Sequence, residues 1–203
     1  MRPLLMLRVI AGSQKGRRLQ GPTGNHIRPT SGRVREALFS ILADHVPQAR
    51  VLDLCCGVGT IGLEALSRGA ARVVFVDHHQ DSLLLLRRNL AQWGNPEEAT
   101  VLCGDAWKIR QIPQVLYSGP YDMIYVDPPY RQHDFLPLLC DLGHERMLSP
   151  QGTIIVEHFW KTDMPSFASS LKVSRTQRYG DTMLTFYQPT FDSHANRRLS
   201  RDV

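Results

Sequence analysis

The run Asp127-Pro128-Pro129-Tyr130 carries the most suggestive chemistry in the chain. Two consecutive prolines fix two backbone angles and remove two N–H donors. What such a loop presents is acceptors: the Asp127 carboxylate and the Pro128 carbonyl. A collar of acceptors grips a planar amino group by both of its hydrogens. An exocyclic base nitrogen is a poor nucleophile because its lone pair is spread into the ring, and hydrogen bonds at suitable angles draw it toward a tetrahedral, attack-ready state. Tyr130 offers a face for the base to stack on, a contact of about 1–3 kcal/mol. Asp127, Pro128 and Tyr130 are therefore the expected catalytic residues. Taken alone, the same four residues would also serve as a rigid proline turn.

A second stretch, Asp53-Leu-Cys55-Cys-Gly57-Val-Gly59-Thr-Ile-Gly62, follows an apolar run. Its glycines match the dinucleotide fingerprint, and Asp77 lies at the expected distance beyond Gly57 to hold a ribose. An NAD-dependent reductase is one reading. Two acids point elsewhere. Asp53 sits inside the ligand loop, where a pyrophosphate would be repelled and an amino-acid ammonium welcomed. Asp105, in Gly104-Asp105-Ala106, is placed to accept from an adenine amino group. S-adenosylmethionine has an ammonium, a ribose and an adenine but no phosphate. The expected cofactor residues are Asp53, Cys55, Gly57, Gly59, Asp77, His78, Asp105 and Ala106. The blander roles are a helix cap for Asp53, turns for Asp77 and Asp105, and a solvated loop for His78 and His79.

Charge adds a partner. The 203 residues hold 24 cations against 19 acids. Residues 1–35 contain eight of those cations and no acid, so the remainder is mildly acidic. Twenty of the cations are arginine, whose planar fork binds phosphate at two points and stacks on bases. A basic arm over residues 1–30, with Lys15, Arg17, Arg18, Arg28, Arg33 and Arg35 as the contact set, suits a nucleic acid.

The elements that would position these groups read clearly. Leu4–Ile10 and the stretch around Arg17–Leu19 flank a Gly-Ser-Gln-Lys-Gly turn, a β-hairpin. Val34, Ala37, Leu38, Ile41 and Leu42 recur at helical spacing, with Thr30 or Ser31 as the cap. From Arg50 strands alternate with helices: strands at 51–54, 72–77, 99–103, 121–126 and 152–157. Segments 171–178 and 182–188 flank Tyr179-Gly180-Asp181, a hairpin turn. Apolar β-branched strands separated by helices require a parallel sheet covered on both faces. The expected fold is α/β and Rossmann-like: seven strands, mostly parallel, with an antiparallel last hairpin and an N-terminal hairpin extension. The catalytic domain would span 31–189, followed by a polar tail at 190–203.

Composition narrows the setting. Hydrophobic residues at 42% and charged residues at 21% exclude a disordered or collagen-like chain. No apolar run is long enough to span a bilayer, and the N-terminus lacks a signal-peptide pattern, so a cytoplasmic monomer is expected. Cys55, Cys56, Cys103 and Cys140 form no CxxC pair, which argues against zinc; they are expected to be reduced and mostly buried.

The motifs together resemble a known family. Val51–Gly59 with Asp127–Tyr130 is similar to class I S-adenosylmethionine-dependent methyltransferases that act on exocyclic amines. Arg28-Pro-Thr-Ser-Gly-Arg-Val-Arg-Glu-Ala-Leu-Phe39, Gly62-Leu-Glu-Ala-Leu-Ser-Arg-Gly-Ala70 and Arg178-Tyr-Gly-Asp-Thr182 resemble segments of the RsmD family. The resemblance covers about residues 7–188. It implies methylation of the N2 amine of one guanine in bacterial 16S rRNA, within the small ribosomal subunit or an assembly intermediate, with no metal. Cys55-Cys56, Ser31-Gly32 and Asp77 depart from the family's usual Phe-Ala, Thr-Asp and Glu. Methylation of adenine N6 or cytosine N4 is the alternative chemistry, because the same loop serves all three amines. A non-catalytic RNA-binding assembly factor is the alternative of another class.

Overall fold

The computed structural model describes residues 7–21, 32–129 and 134–190. The expected hairpin is present among the described residues, where β1 (Leu7–Arg8) pairs antiparallel with β2 (Arg18–Leu19); Leu4–Met6 of its expected first strand lie outside them. Helix α1 covers Gly32–Ile41; its expected cap at Thr30 or Ser31 lies outside the described residues. The alternating portion follows as β3 (Arg50–Leu54), α2 (Thr60–Ser67), β4 (Arg72–Asp77), α3 (Gln80–Ala91) and β5 (Ala99–Cys103). A 3₁₀ helix (Ala106–Gln111) and α4 (Pro113–Ser118) lead to β6 (Tyr121–Val126), α5 (Leu136–Leu142) and β7 (Leu148–Phe159). The chain closes with β8 (Phe167–Ala168), β9 (Leu171–Tyr179) and β10 (Thr182–Pro189).

The main sheet has the order β5-β4-β3-β6-β7-β10-β9-β8. β3 to β7 are mutually parallel, and β10, β9 and β8 join antiparallel. All seven expected strands are present. An eighth, the two-residue β8, extends the edge beside β9; two residues are too few to leave a periodicity.

Each face of the sheet has its own core. Val51, Val73, Phe75, Met123, Tyr125 and Ile155 meet α1, α2 and α3 on one side. Leu52, Leu54, Val74, Val76, Ile124 and Val126 meet the 3₁₀ helix, α4 and α5 on the other. Burial on both faces is why these strands read as unbroken apolar runs.

The basic arm is strapped to the body. Leu7, Val9 and Leu19 enter the core beside α1 and α2. Glu64 on α2, 1% exposed, accepts the backbone N–H groups of Ile10 at 2.7 Å and Ala11 at 2.9 Å. Asn89 on α3 accepts from Gln20 N–H at 2.7 Å and donates to its carbonyl at 3.1 Å. Ser67 accepts Gln14 N–H at 3.0 Å and donates to the Ala11 carbonyl. These side chains act as the missing strand edge for an arm that would otherwise carry unpaired backbone groups.

Candidate active site

The strand order reverses at β3. The chain proceeds through β4 and β5 on one side, then returns through β6 and β7 on the other. Ligands in open parallel sheets bind beyond the carboxyl ends of the strands at such a point. Here four adjacent strands, β5, β4, β3 and β6, deliver Asp105, Asp77, Asp53 and Asp127 to that edge. Adjacent strands are about 4.8 Å apart, so the row extends over roughly 14 Å.

Cys55 records the convergence. Its thiol is pushed well above the ordinary value by burial, and then by the carboxylates of Asp77, Asp127, Asp53 and Asp105. All four expected acids thus lie within electrostatic reach of one half-buried side chain. Cys55 itself adopts φ +56°, a left-handed conformation that costs a non-glycine residue about 1–3 kcal/mol and gathers at functional sites. The turn directs the chain from β3 into the glycine loop. Backbone bonds tie the loops together: Cys56 N–H to the Val76 carbonyl at 3.1 Å, Gly104 N–H to Asp77 at 3.0 Å, and Asp127 N–H to Leu54 at 3.2 Å.

The acids are individually held. Asp53 is 1% exposed, and one oxygen accepts Gly62 N–H at 2.9 Å. It therefore caps the third residue of α2, the blander role its position allowed. Burial pushes its carboxyl up to about 7; the Gly62 bond opposes this and Asp77 adds to it. Asp77 accepts Gly57 N–H at 2.7 Å through one oxygen and His79 N–H at 2.8 Å through the other. Asp105 caps the 3₁₀ helix, accepting Trp107 N–H at 3.0 Å. Ala106 is buried and His78 exposed.

The three glycines divide by task. A Cβ on Gly59 would stand 2.5 Å from Leu86 Cδ1, and one on Gly62 2.2 Å from Phe75 Cε1. Both are required for α2 to pack on β4 and α3. Gly57, at φ +55°, has open space where its Cβ would be. Of the three, Gly57 is the one that leaves room for a ligand. The open space at Gly57, beside a row of strand-end acids, fits the cationic, phosphate-free donor expected there.

In the Asp-Pro-Pro loop after β6, Asp127 is half-buried, Pro128 buried and Pro129 exposed. Tyr130 lies outside the described residues.

The structure divides the expected RNA-contact set. Lys15, Arg17, Arg18 and Arg33 are exposed, and Arg28 lies outside the described residues. Arg17 donates to the Gln92 carbonyl at the end of α3. Arg35 does not belong to the set. It is 3% exposed, donates to the Arg8 carbonyl at 2.6 Å and faces Glu64 at 3.9 Å. Its place on the apolar face of α1 turns it inward to pin the arm. Burial pulls its pKa below the usual guanidinium value, against the pull of Glu64. The cysteines are free but less buried than expected: Cys56 is buried, whereas Cys103 and Cys140 are exposed. Both sit where an element meets solvent, Cys103 at the end of β5 and Cys140 on α5.

Sequence reasoning missed the residues that anchor the arm. Glu64 was the detectable one: a lone acid within Ile61-Gly-Leu-Glu-Ala-Leu, a helix otherwise apolar in that stretch. Such a carboxylate must find partners.

A sheet of this order, with its acids at the reversal point, defines a Rossmann-like class I methyltransferase. Comparison with known proteins narrows the class. The family described as Conserved hypothetical protein 95 matches residues 7–188, and the chain belongs to this family, the RsmD family of methyltransferases. YlbH of Bacillus subtilis is 32% identical, over 90% of this chain and 98% of the relative. Ribosomal RNA small subunit methyltransferase D of Escherichia coli is 31% identical, over 90% of this chain and 89% of its own length. The solved structure of E. coli yhhF superposes with a TM-score of 0.78 at 31% identity, over 91% of this chain and 98% of that one. Membership sets aside the reductase reading of the glycine loop.

Among the described residues no helix is long and apolar enough to cross a membrane.

Proposed function

We propose that the protein methylates the exocyclic N2 amine of a guanine in bacterial 16S rRNA, with S-adenosylmethionine as donor. The donor, when bound, supplies a methyl group already activated by a sulfonium. Asp53 would hold its ammonium, Asp77 its ribose, and Asp105 with Ala106 its adenine, while Gly57 leaves room for it. The remaining work belongs to the chain.

Asp127 and the Pro128 carbonyl would accept the two amino hydrogens and turn the nitrogen lone pair toward the reacting carbon. Tyr130 would stack on the base. Positioning of this kind supplies most of the acceleration when the electrophile is already reactive. The amine proton becomes acidic only as the new C–N bond forms, and Asp127 or water then takes it. The base must leave its stack to reach the edge of the sheet. Single-stranded loops and bulges are the RNA elements that allow this.

The observation that carries the proposal is the placement of four carboxylates, Asp127 among them, at the carboxyl ends of four adjacent parallel strands beside the reversal of strand order. Relatives of similar length named as rRNA methyltransferases support the substrate class. The test is transfer of a labelled methyl group to small subunits lacking the modification, with mapping of the product nucleoside. N2-methylguanosine at one position is expected. Label on adenine N6 or cytosine N4 would move the chain to the alternative chemistry; no transfer at all would leave only a non-catalytic RNA-binding role.

A further inference from the structure

The hairpin turn of the arm is anchored at the end of α2 opposite the glycine loop. The hairpin turn bonds to Ser67 at the carboxyl end of α2: Ser13 N–H reaches the Ser67 carbonyl at 2.7 Å. Helix α2 starts at the glycine loop and spans Thr60–Ser67, so the turn stands roughly 12 Å from that loop at 1.5 Å per residue. The reacting edge itself is lined with carboxylates, which repel an RNA backbone. A substrate that places one base at Asp127 needs a cationic contact near that edge.

One exists on the side of the sheet away from the cofactor acids. β9 runs parallel to β7, because both are antiparallel to β10. The ends of β7 and β9 therefore emerge at the same edge as Asp127. In the β6–β7 register Val126 faces Val156, so Asp127 is level with Glu157. Trp160 is three residues further along the neighbouring strand, roughly 11 Å from Asp127 by strand geometry. The Arg178 guanidinium lies over the Trp160 ring at 3.9 Å, and Lys161 Nζ is 5.1 Å from the same ring. Arg178 Nε donates to the Gly180 carbonyl at 2.8 Å. Trp160 N–H in turn donates to the Asp181 carbonyl at 3.0 Å, joining the end of β7 to the β9–β10 turn.

We propose that Arg178, held flat on Trp160 and flanked by Lys161, binds a backbone phosphate of the RNA strand next to the methylated nucleotide. The inference rests on the function proposed above. Stacking on the indole and the Nε bond fix the guanidinium plane, and its two terminal nitrogens remain as a fork on an exposed side chain. A pre-oriented fork loses less freedom on binding phosphate than a loose lysine would. Asp163 and Asp181 are nearby acids, but Lys161, Lys172, Arg175 and Arg178 outnumber them between residues 160 and 190. Lys172 and Arg175 are exposed on the same strand as Arg178, but Arg175, three residues away with no bulge between, lies on the opposite face of the sheet, so Arg178 and Lys161 form the contact by themselves.

The test is Arg178→Gln and Lys161→Gln in the full chain, assayed for methyl transfer to small subunits lacking the modification across a salt series. For each variant the KM for subunits should rise, about tenfold for Arg178, with kcat and donor affinity unchanged. The slope of log affinity against log salt should fall by about 0.7 for each phosphate of a single strand that is no longer neutralised. Lys161 covers the case in which Arg178→Gln loosens the β9–β10 turn, because its exposed amine holds no backbone bond. A photoreactive residue at 161 should crosslink to 16S rRNA. Unchanged KM and slope in both variants overturn the proposal, as does a crosslink to a ribosomal protein. Wild-type protein that transfers no methyl group defeats the parent reading, and this one with it. Active wild type with indifferent variants defeats this one alone.

Discussion

Glu64 is the residue on which attachment of the arm depends, and Glu64→Ala should detach it. The carboxylate takes two backbone N–H groups, from Ile10 and Ala11, and lies 2.9 Å from Arg68 and 3.9 Å from Arg35. Alanine would leave two part-buried donors unpaired, at no more than about 1–3 kcal/mol each. It would also strand the Arg35 guanidinium, and breaking a buried pair from one side costs about 3–5 kcal/mol. These costs overlap, because a released arm rehydrates its own amides. A net loss of about 4 kcal/mol is expected. At about 2–4 °C per kcal/mol for a domain of this size, the melting temperature should fall by about 8–16 °C. Hydrogen exchange at Ile10 and Ala11 should accelerate far more than exchange in β3 or β6. Donor binding should persist, since no cofactor residue touches Glu64. Glu64→Gln keeps one acceptor and should fall between the two. A melting temperature within about 2 °C of wild type, with both amides still protected, would refute the view that the arm is clamped through this carboxylate.

Three further perturbations separate fold from function. Gly59→Ala should destabilise most, because its Cβ meets Leu86 at 2.5 Å on top of a φ of +78°; Gly57→Ala meets no protein atom, so it should cost only the backbone strain of φ +55°, about 1–3 kcal/mol, while weakening donor binding, both read by denaturation and calorimetry. Asp53, raised to about 7 when folded against about 3.9 unfolded, keeps its proton in the fold across that window. Stability should therefore decline by about 1.4 kcal/mol per pH unit between about pH 4 and 7 and level off above it, and Asp53→Asn should remove the decline. A bound ammonium would favour the carboxylate, so donor affinity should rise as pH passes 7 in wild type and stay flat in that variant, as measured by calorimetric titration. Asp127→Ala should keep donor affinity near normal and slow methyl transfer by about 10²–10³-fold, the scale of losing one positioned transition-state contact; near-normal turnover in single-turnover assays would remove it from the mechanism.

The central strands were legible to the residue. β4, β5 and β6 occupy 72–77, 99–103 and 121–126 as expected, because strands buried on both faces leave apolar runs cut off by turn residues. β7 was not: only 152–157 was expected, while the strand spans Leu148–Phe159. Its first residues include Ser149-Pro150-Gln151, which carry no alternation, and Leu148 is added by pairing with Tyr121. The arm shows the same limit in another form. Its charge was plain, but charge does not say what holds a segment down. That depended on Glu64, Ser67 and Asn89 reaching backbone groups more than fifty residues away.

The site shows why a glycine pattern is weak evidence for a ligand while the acids near it are strong. Gly59 and Gly62 are there because Leu86 and Phe75 leave no room for a side chain. Any sheet that packs a helix this closely after its first strand needs them, whatever it binds. The pattern therefore fits a dinucleotide enzyme and a methyltransferase equally well. The acids carry information because packing does not require them. Asp53 is costly where it stands: a buried carboxyl held up near 7, one oxygen spent on capping α2. An asparagine would cap Gly62 about as well without the burden of a buried charge. A carboxylate at that position is repaid only when a cation arrives beside it. Hence Asp53→Asn should leave α2 intact, stabilise the protein above pH 7 and lose the donor. If it binds the donor as wild type does, the acid row at the strand ends does not define the ligand.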